Sequence, residues 1–117
     1  MKIIKKAASS VPREDAHAGA GGRRLYLDKA ELGNKSWQAM TYGYLPAGGV
    51  FDWHEHENTD ETMLVLKGSG TVADSEGEYT YNPGDLFIFP ANTKHKINNP
   101  STEEHEFIFV RIKTSLT

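Results

Sequence analysis

The side chains of this chain best equipped for chemistry are His54, His56, Glu61 and His95. One residue separates His54 from His56, and β-strand side chains alternate faces with period two, so both imidazoles project from one face and reach one ion. The turn-prone Asn58-Thr59-Asp60 then lets the chain double back, so that Glu61 enters the same site from a neighbouring strand. A helix would instead bring histidines together at a spacing of four. There is no cysteine, so a metal here must be held by nitrogen and oxygen. Three imidazoles and one carboxylate suit a single divalent Fe, Mn, Zn, Ni or Cu ion, whereas Mg and Ca prefer more oxygen. In an octahedral ion these four donors leave two positions for water, dioxygen or a chelating substrate. In tetrahedral zinc they close the site and favour a structural role.

Positioning such a set calls for a sheet, and the rest of the chain reads as one. Residues 1–22 form an irregular arm, rich in Ala, Gly and Ser around Pro12, in which Ile3 and Ile4 offer a short edge strand. The β-domain is delimited as residues 23–117. Arg23 to Leu27 and Trp37 to Leu45 read as strands, with a polar loop from Lys29 to Lys35 between them. Phe51 to His56, Thr62 to Leu66, Thr71 to Ala73, Glu78 to Tyr81, Leu86 to Phe89, His95 to Asn98 and Glu106 to Ile112 follow, separated by turns such as Gly68-Ser69-Gly70 and Pro83-Gly84-Asp85. Short strands with turn signals every 8–12 residues predict an all-β antiparallel sandwich or barrel. With 117 residues, one domain with one ordinary core is expected.

A bare His-x-His is common on exposed strands, but here it sits in a longer pattern. Five residues separate Gly48 from His54, four separate His56 from Glu61, and six separate Glu61 from Gly68. Gly84, Pro90, His95 and Asn99 make a second run. Across about residues 48–99 the chain resembles the cupins, with both of that family's signature motifs. The resemblance implies a single-domain jelly-roll (double-stranded β-helix) barrel. It carries over His54, His56, Glu61 and His95 as metal ligands. One departure is Asn92, where the family usually has glycine; Asn best tolerates a left-handed backbone after Gly, so the turn is expected to survive. Gly48, Gly68, Gly77 and Gly84 read as turn residues, and Asn99 as the end of a strand.

Other polar residues are weaker candidates. His17 lies in the arm and is expected to be solvated. His105 shares its parity with Phe107 and Phe109 and faces either the cavity or a partner subunit. Catalytic residues are unassigned; Tyr44, Asp52 and His105 are the candidates for an acid or base. If His54 and His56 face inward, Asp52 does too, and Phe51 and Trp53 point outward, to be covered by the arm before Arg23 or, as favoured here, by a homodimer interface. Met63 and Val65 share Glu61's face and give the cavity an apolar floor, while Thr62, Leu64 and Leu66 make an outer face that also expects cover. Lys94 and Lys96 flank His95 toward solvent, so no clamp for a phosphate or carboxylate is evident.

Composition narrows the function classes. The net charge of −3 with mixed signs offers no basic surface for nucleic acid. No apolar run matches a signal peptide or the roughly 20 residues of a membrane helix, so a cytoplasmic protein with no membrane partner is expected. The expected partner is a small-molecule substrate or ligand. A metalloenzyme is expected, with a non-haem dioxygenase favoured. The alternatives are a metal-dependent isomerase, epimerase or lyase on a sugar-like or hydroxy-carbonyl compound, and a non-catalytic small-molecule binding module.

Overall fold

The computed structural model describes residues 2–114. Met1 of the arm and residues 115–117 of the β-domain lie outside the described residues. Alternating apolar and polar residues, punctuated by Gly, Pro, Asn and Asp, form ten strands among the described residues. They are β1 (Glu14–Ala16), β2 (Gly21–Asp28), β3 (Trp37–Leu45), β4 (Val50–His54), β5 (Thr59–Lys67), β6 (Gly70–Asp74), β7 (Gly77–Tyr81), β8 (Leu86–Phe89), β9 (His95–Asn98) and β10 (His105–Lys113). The pairing is antiparallel throughout, in a six-stranded sheet ordered β1-β2-β3-β10-β5-β8 and a four-stranded sheet ordered β4-β9-β6-β7. The sheets form the jelly-roll barrel expected from the sequence. Leu45, Phe51, Met63, Val65, Val72, Tyr81, Phe89, Ile97, Phe107 and Phe109 fill it.

Strand β10 is the keystone of the larger sheet. Its inward side chains run His105, Phe107, Phe109, Arg111, and it is paired along its length with β3 on one side and β5 on the other. Strand β5 presents Glu61, Met63 and Val65 inward, all buried, as its alternation predicts. Its other face is open: Leu64 and Leu66 are exposed, together with Leu86 and Ile88 of β8. No other part of the described chain covers them.

Strand β4 departs from simple alternation. Phe51 is opposite Ile97 and His54 is opposite His95, so three steps on β4 match two on β9. This β-bulge holds one extra residue and reverses the parity beyond it. Phe51 and His54 therefore both face inward. Phe51 is 1% exposed, in the core and not on an outer face as strict alternation required. Asp52 and Trp53 occupy the bulge and are exposed, with the Asp52 Oδ1 accepting a hydrogen bond from the Trp53 N–H at 2.8 Å.

In the arm, the strand is Glu14–Ala16 and not Ile3-Ile4. Glu14 to Ala16 find a hairpin partner in Gly21 to Arg23, whereas Ile3 and Ile4, set between lysines, are exposed and pair with no described residue. Strand β2 accordingly starts at Gly21, two residues before the boundary drawn from sequence. The arm is fastened to the barrel's outer face. Arg13 lies over the Tyr44 ring and pairs with Glu104, and Arg24 donates to the Tyr44 hydroxyl and to the Val11 carbonyl.

At one end of the barrel a buried polar network takes the place of apolar packing. Asn99, 0% exposed, donates from Nδ2 to the carbonyls of Leu45, Pro46 and Glu103 and accepts at Oδ1 from the Ser101 N–H and hydroxyl. His105 hydrogen-bonds Tyr81 and Ser101, and burial pushes its pKa down, keeping the ring neutral. Its ring lies against Gly68, whose φ is +99°. A Cβ at position 68 would overlap the imidazole. Gly68→Ala therefore combines left-handed strain with overpacking and should cost about 2–4 kcal/mol. Urea unfolding checks this, and an unchanged midpoint would contradict the packing described.

Candidate metal centre

At the other end of the barrel, four donors converge. His54 ends β4, His56 follows in the loop, Glu61 lies on β5 and His95 starts β9. One ligand atom from each lies within 4.8 Å of all the others. The strand is thus shorter than the sequence predicts, ending at His54, yet both imidazoles still turn to one point. The loop after β4 is secured from the far side: the Asn92 N–H donates to the His56 carbonyl at 3.0 Å, and the Asn92 Oδ1 accepts from the Asn58 N–H. Asn92 has φ 62°, the left-handed turn expected of it.

Hydrogen bonds identify the donor nitrogens. Nδ1 of His54 lies 2.6 Å from the Asp52 carbonyl, and Nδ1 of His95 2.8 Å from the Thr93 carbonyl. A carbonyl only accepts, so each Nδ1 carries the proton and each Nε2 presents a lone pair. Phe89 stacks on the His95 ring with centroids 4.0 Å apart and planes 8° apart, holding its orientation. The Nε2 atoms of His56 and His95 are buried without a hydrogen-bond partner. They stand 3.3 and 3.7 Å from the two Glu61 oxygens. Burial raises the pKa of Glu61, but His56 and His95 outweigh it and bring it down to about 2. Burial also lowers the pKa of His54. A buried carboxylate faced by two imidazole nitrogens that no hydrogen bond engages is what a divalent cation satisfies. The residues fit the ion expected from the sequence, and the donor set leaves its identity open.

The cluster faces a cavity of about 520 Å³ whose walls include His54, His56, Glu61, Phe51, Ile97 and Phe109. His17 also reaches this cavity. The residue is exposed as a whole, yet its ring stacks on Phe51 at 4.1 Å and meets His54 edge-on at 5.1 Å. His17 and Ala18 have φ of 50° and 54°, a backbone that turns the ring back over the mouth. Nothing in the arm's composition signals this; only the bulge that brings Phe51 inward creates the surface on which His17 rests. Of the sequence candidates for acid or base, none lines the cavity. Tyr44 lies under the arm on the outer side of β3, Asp52 occupies the exposed bulge, and His105 is bonded at the opposite end. Arg111, which sequence reasoning passed over, does line it.

A family model described as a cupin domain matches residues 41–111. An uncharacterized protein of Methanocaldococcus jannaschii is 27% identical over 99 residues, or 85% of this chain and 78% of that protein. An acireductone dioxygenase of Exiguobacterium sibiricum is 33% identical over 67 residues, or 53% of this chain and 36% of that enzyme. Among solved structures, a predicted oxalate decarboxylase from Thermotoga maritima shares the fold with a TM-score of 0.81 at 23% identity, across 94% of this chain and 99% of that one.

Replacing a ligand should cost more than the ~10–100-fold in affinity typical of losing an outer hydrogen bond to a ligand. His54→Ala, His56→Ala and His95→Ala are each expected to purify with little metal and to lose it to a chelator that the unaltered chain withstands. Elemental analysis reads the outcome, and full occupancy in all three variants would remove the site.

Proposed function

The chain belongs to the cupin family, and we propose that His54, His56, Glu61 and His95 hold a divalent transition metal at which a small organic molecule is oxidised by dioxygen. The observation that carries this reading is the pair of buried, unpartnered Nε2 atoms converging on Glu61 at the wall of a cavity large enough for a small substrate. When bound, an iron(II) ion would supply coordination for dioxygen and substrate and a route for electrons between them. The chain's own residues supply the rest. Glu61 contributes the negative charge that offsets the cation, the Asp52 and Thr93 carbonyls fix two imidazoles, and Phe51, Ile97 and Phe109 restrict water.

An isomerase or lyase at the same centre would need a side chain to carry a proton between substrate atoms. Tyr44, Asp52 and His105 lie away from the cavity, and the titratable groups that do line it beside the metal cluster, His17, Asp15 and Glu55, are exposed to water, which favours oxidation. The partial likeness to an acireductone dioxygenase supports the same choice. Iron(II)-loaded protein offered vicinal diols and diketones should consume oxygen, and His56→Ala should abolish the uptake. Hydrogen–deuterium exchange at a substrate carbon without oxygen uptake would replace this reading with isomerisation. Tight binding without turnover under any metal would leave a binding module.

We also propose a homodimer, through a different surface from the one the sequence pointed to. Leu64 and Leu66 on β5 adjoin Leu86 and Ile88 on β8, exposed on one outer face beside the free edge of the larger sheet. An apolar strip at an open strand edge invites association, and an identical strip on a second copy closes it by two-fold symmetry. Sedimentation should find a dimer that Leu86→Glu with Ile88→Glu converts to a folded monomer; a monomeric unaltered chain would rule the dimer out.

A further inference from the structure

The chain has four arginines, and three are engaged. Arg13 pairs with Glu104, Arg23 with Glu14, and Arg24 with Tyr44 and Val11. Arg111 is half-buried on the inward face of β10 and forms no ion pair and no hydrogen bond with any described residue. Its position is set by pairing on both sides: it stands directly opposite Glu61 on β5 and Ala39 on β3. Across-strand neighbours lie ~5 Å apart at Cβ, so the guanidinium stem rises next to the donor cluster. Ala39, small and buried, leaves its other flank uncrowded.

A guanidinium held partly out of water without an acceptor is costly unless something else supplies one. The carboxylates around it do not. Glu61 faces His56 and His95, while Asp15 and Glu55 on the cavity wall are exposed and make no pair with Arg111. We propose that Arg111 binds the carboxylate of the substrate, a small organic acid whose adjacent hydroxyl or carbonyl oxygen faces His54, His56 and Glu61. This inference rests on the metal-centre reading and narrows its substrate class. A planar fork of N–H donors matches a carboxylate with two parallel hydrogen bonds. One free cation also balances one negative charge. A phosphate monoester, carrying up to two, would call for a second, and Arg23, the other arginine at the cavity, is spent on Glu14.

Calorimetry on the full chain loaded with redox-inert zinc tests this without turnover. The probes are glycolate, its neutral methyl ester, and inorganic phosphate. Glycolate should bind at least tenfold more tightly than the ester. Arg111→Gln should erase that difference by weakening glycolate alone, and Arg111→Lys should fall between. Equal affinity for acid and ester, unchanged glycolate binding in Arg111→Gln, preference for phosphate, or no glycolate binding at all would each overturn the assignment. Zinc content in the same samples separates the two readings. A full equivalent of zinc without Arg111-dependent binding sinks the carboxylate assignment alone. Arg111-dependent binding in a chain that takes up no zinc sinks the metal centre and keeps the anion site.

Discussion

A buried carboxylate with two unused imidazole nitrogens pointed at it is the constraint that the barrel is arranged around. Each of these groups loses hydration on folding, and they do not satisfy one another with hydrogen bonds. Such a cluster is tolerable only when a cation completes it or when strong framework packing holds it open. The framework is visible: backbone carbonyls of Asp52 and Thr93 fix ring orientation, Phe89 lies flat on His95, and Asn92 secures the loop of His56. Rotamers held this way require little reorganisation when an ion arrives.

The two ends of the barrel divide the work. Along β10, His105 and Arg111 face inward six residues apart, about 20 Å at ~3.3 Å per residue. At the His105 end every polar atom of the Asn99, Ser101, Tyr81 and His105 network meets a partner, and Gly68 gives way to the imidazole ring. At the Arg111 end the Nε2 atoms of His56 and His95 and the Arg111 guanidinium have no hydrogen-bond partner among the described residues. Satisfied polar groups rigidify a fold, while unsatisfied ones mark where a ligand belongs. Phe107 and Phe109 between them keep the two ends apart.

The bulge in β4 has consequences larger than its one extra residue. It turns Phe51 from an outer-face aromatic into a core residue, and it exposes Asp52 in place of an inward acid. It also makes the platform on which His17 stacks, so that an arm without hydrophobic pattern contributes a ring to the mouth of the cavity. Strict alternation cannot foresee this, because the choice between pairing and bulging is made by the partner strand β9, where His95 and Ile97 must both face inward.

Much of the chemistry was legible before any fold was known. His54, His56 and Glu61 are marked out by residue type and spacing, the turns by Gly, Pro and Asn, and the inward face of β5 by its alternation, all local properties carried by neighbours along the chain; His95 joins them through the second motif of the cupin resemblance. What surrounds the donors was not legible. Arg111 stands opposite Glu61 only because β10 pairs with β5 across fifty residues of chain, and the same pairing sends His105 to the far end. Sequence records which groups are available and which way a strand alternates. Long-range register decides which groups meet, because it depends on hydrogen bonding and packing between segments that carry no mark of each other.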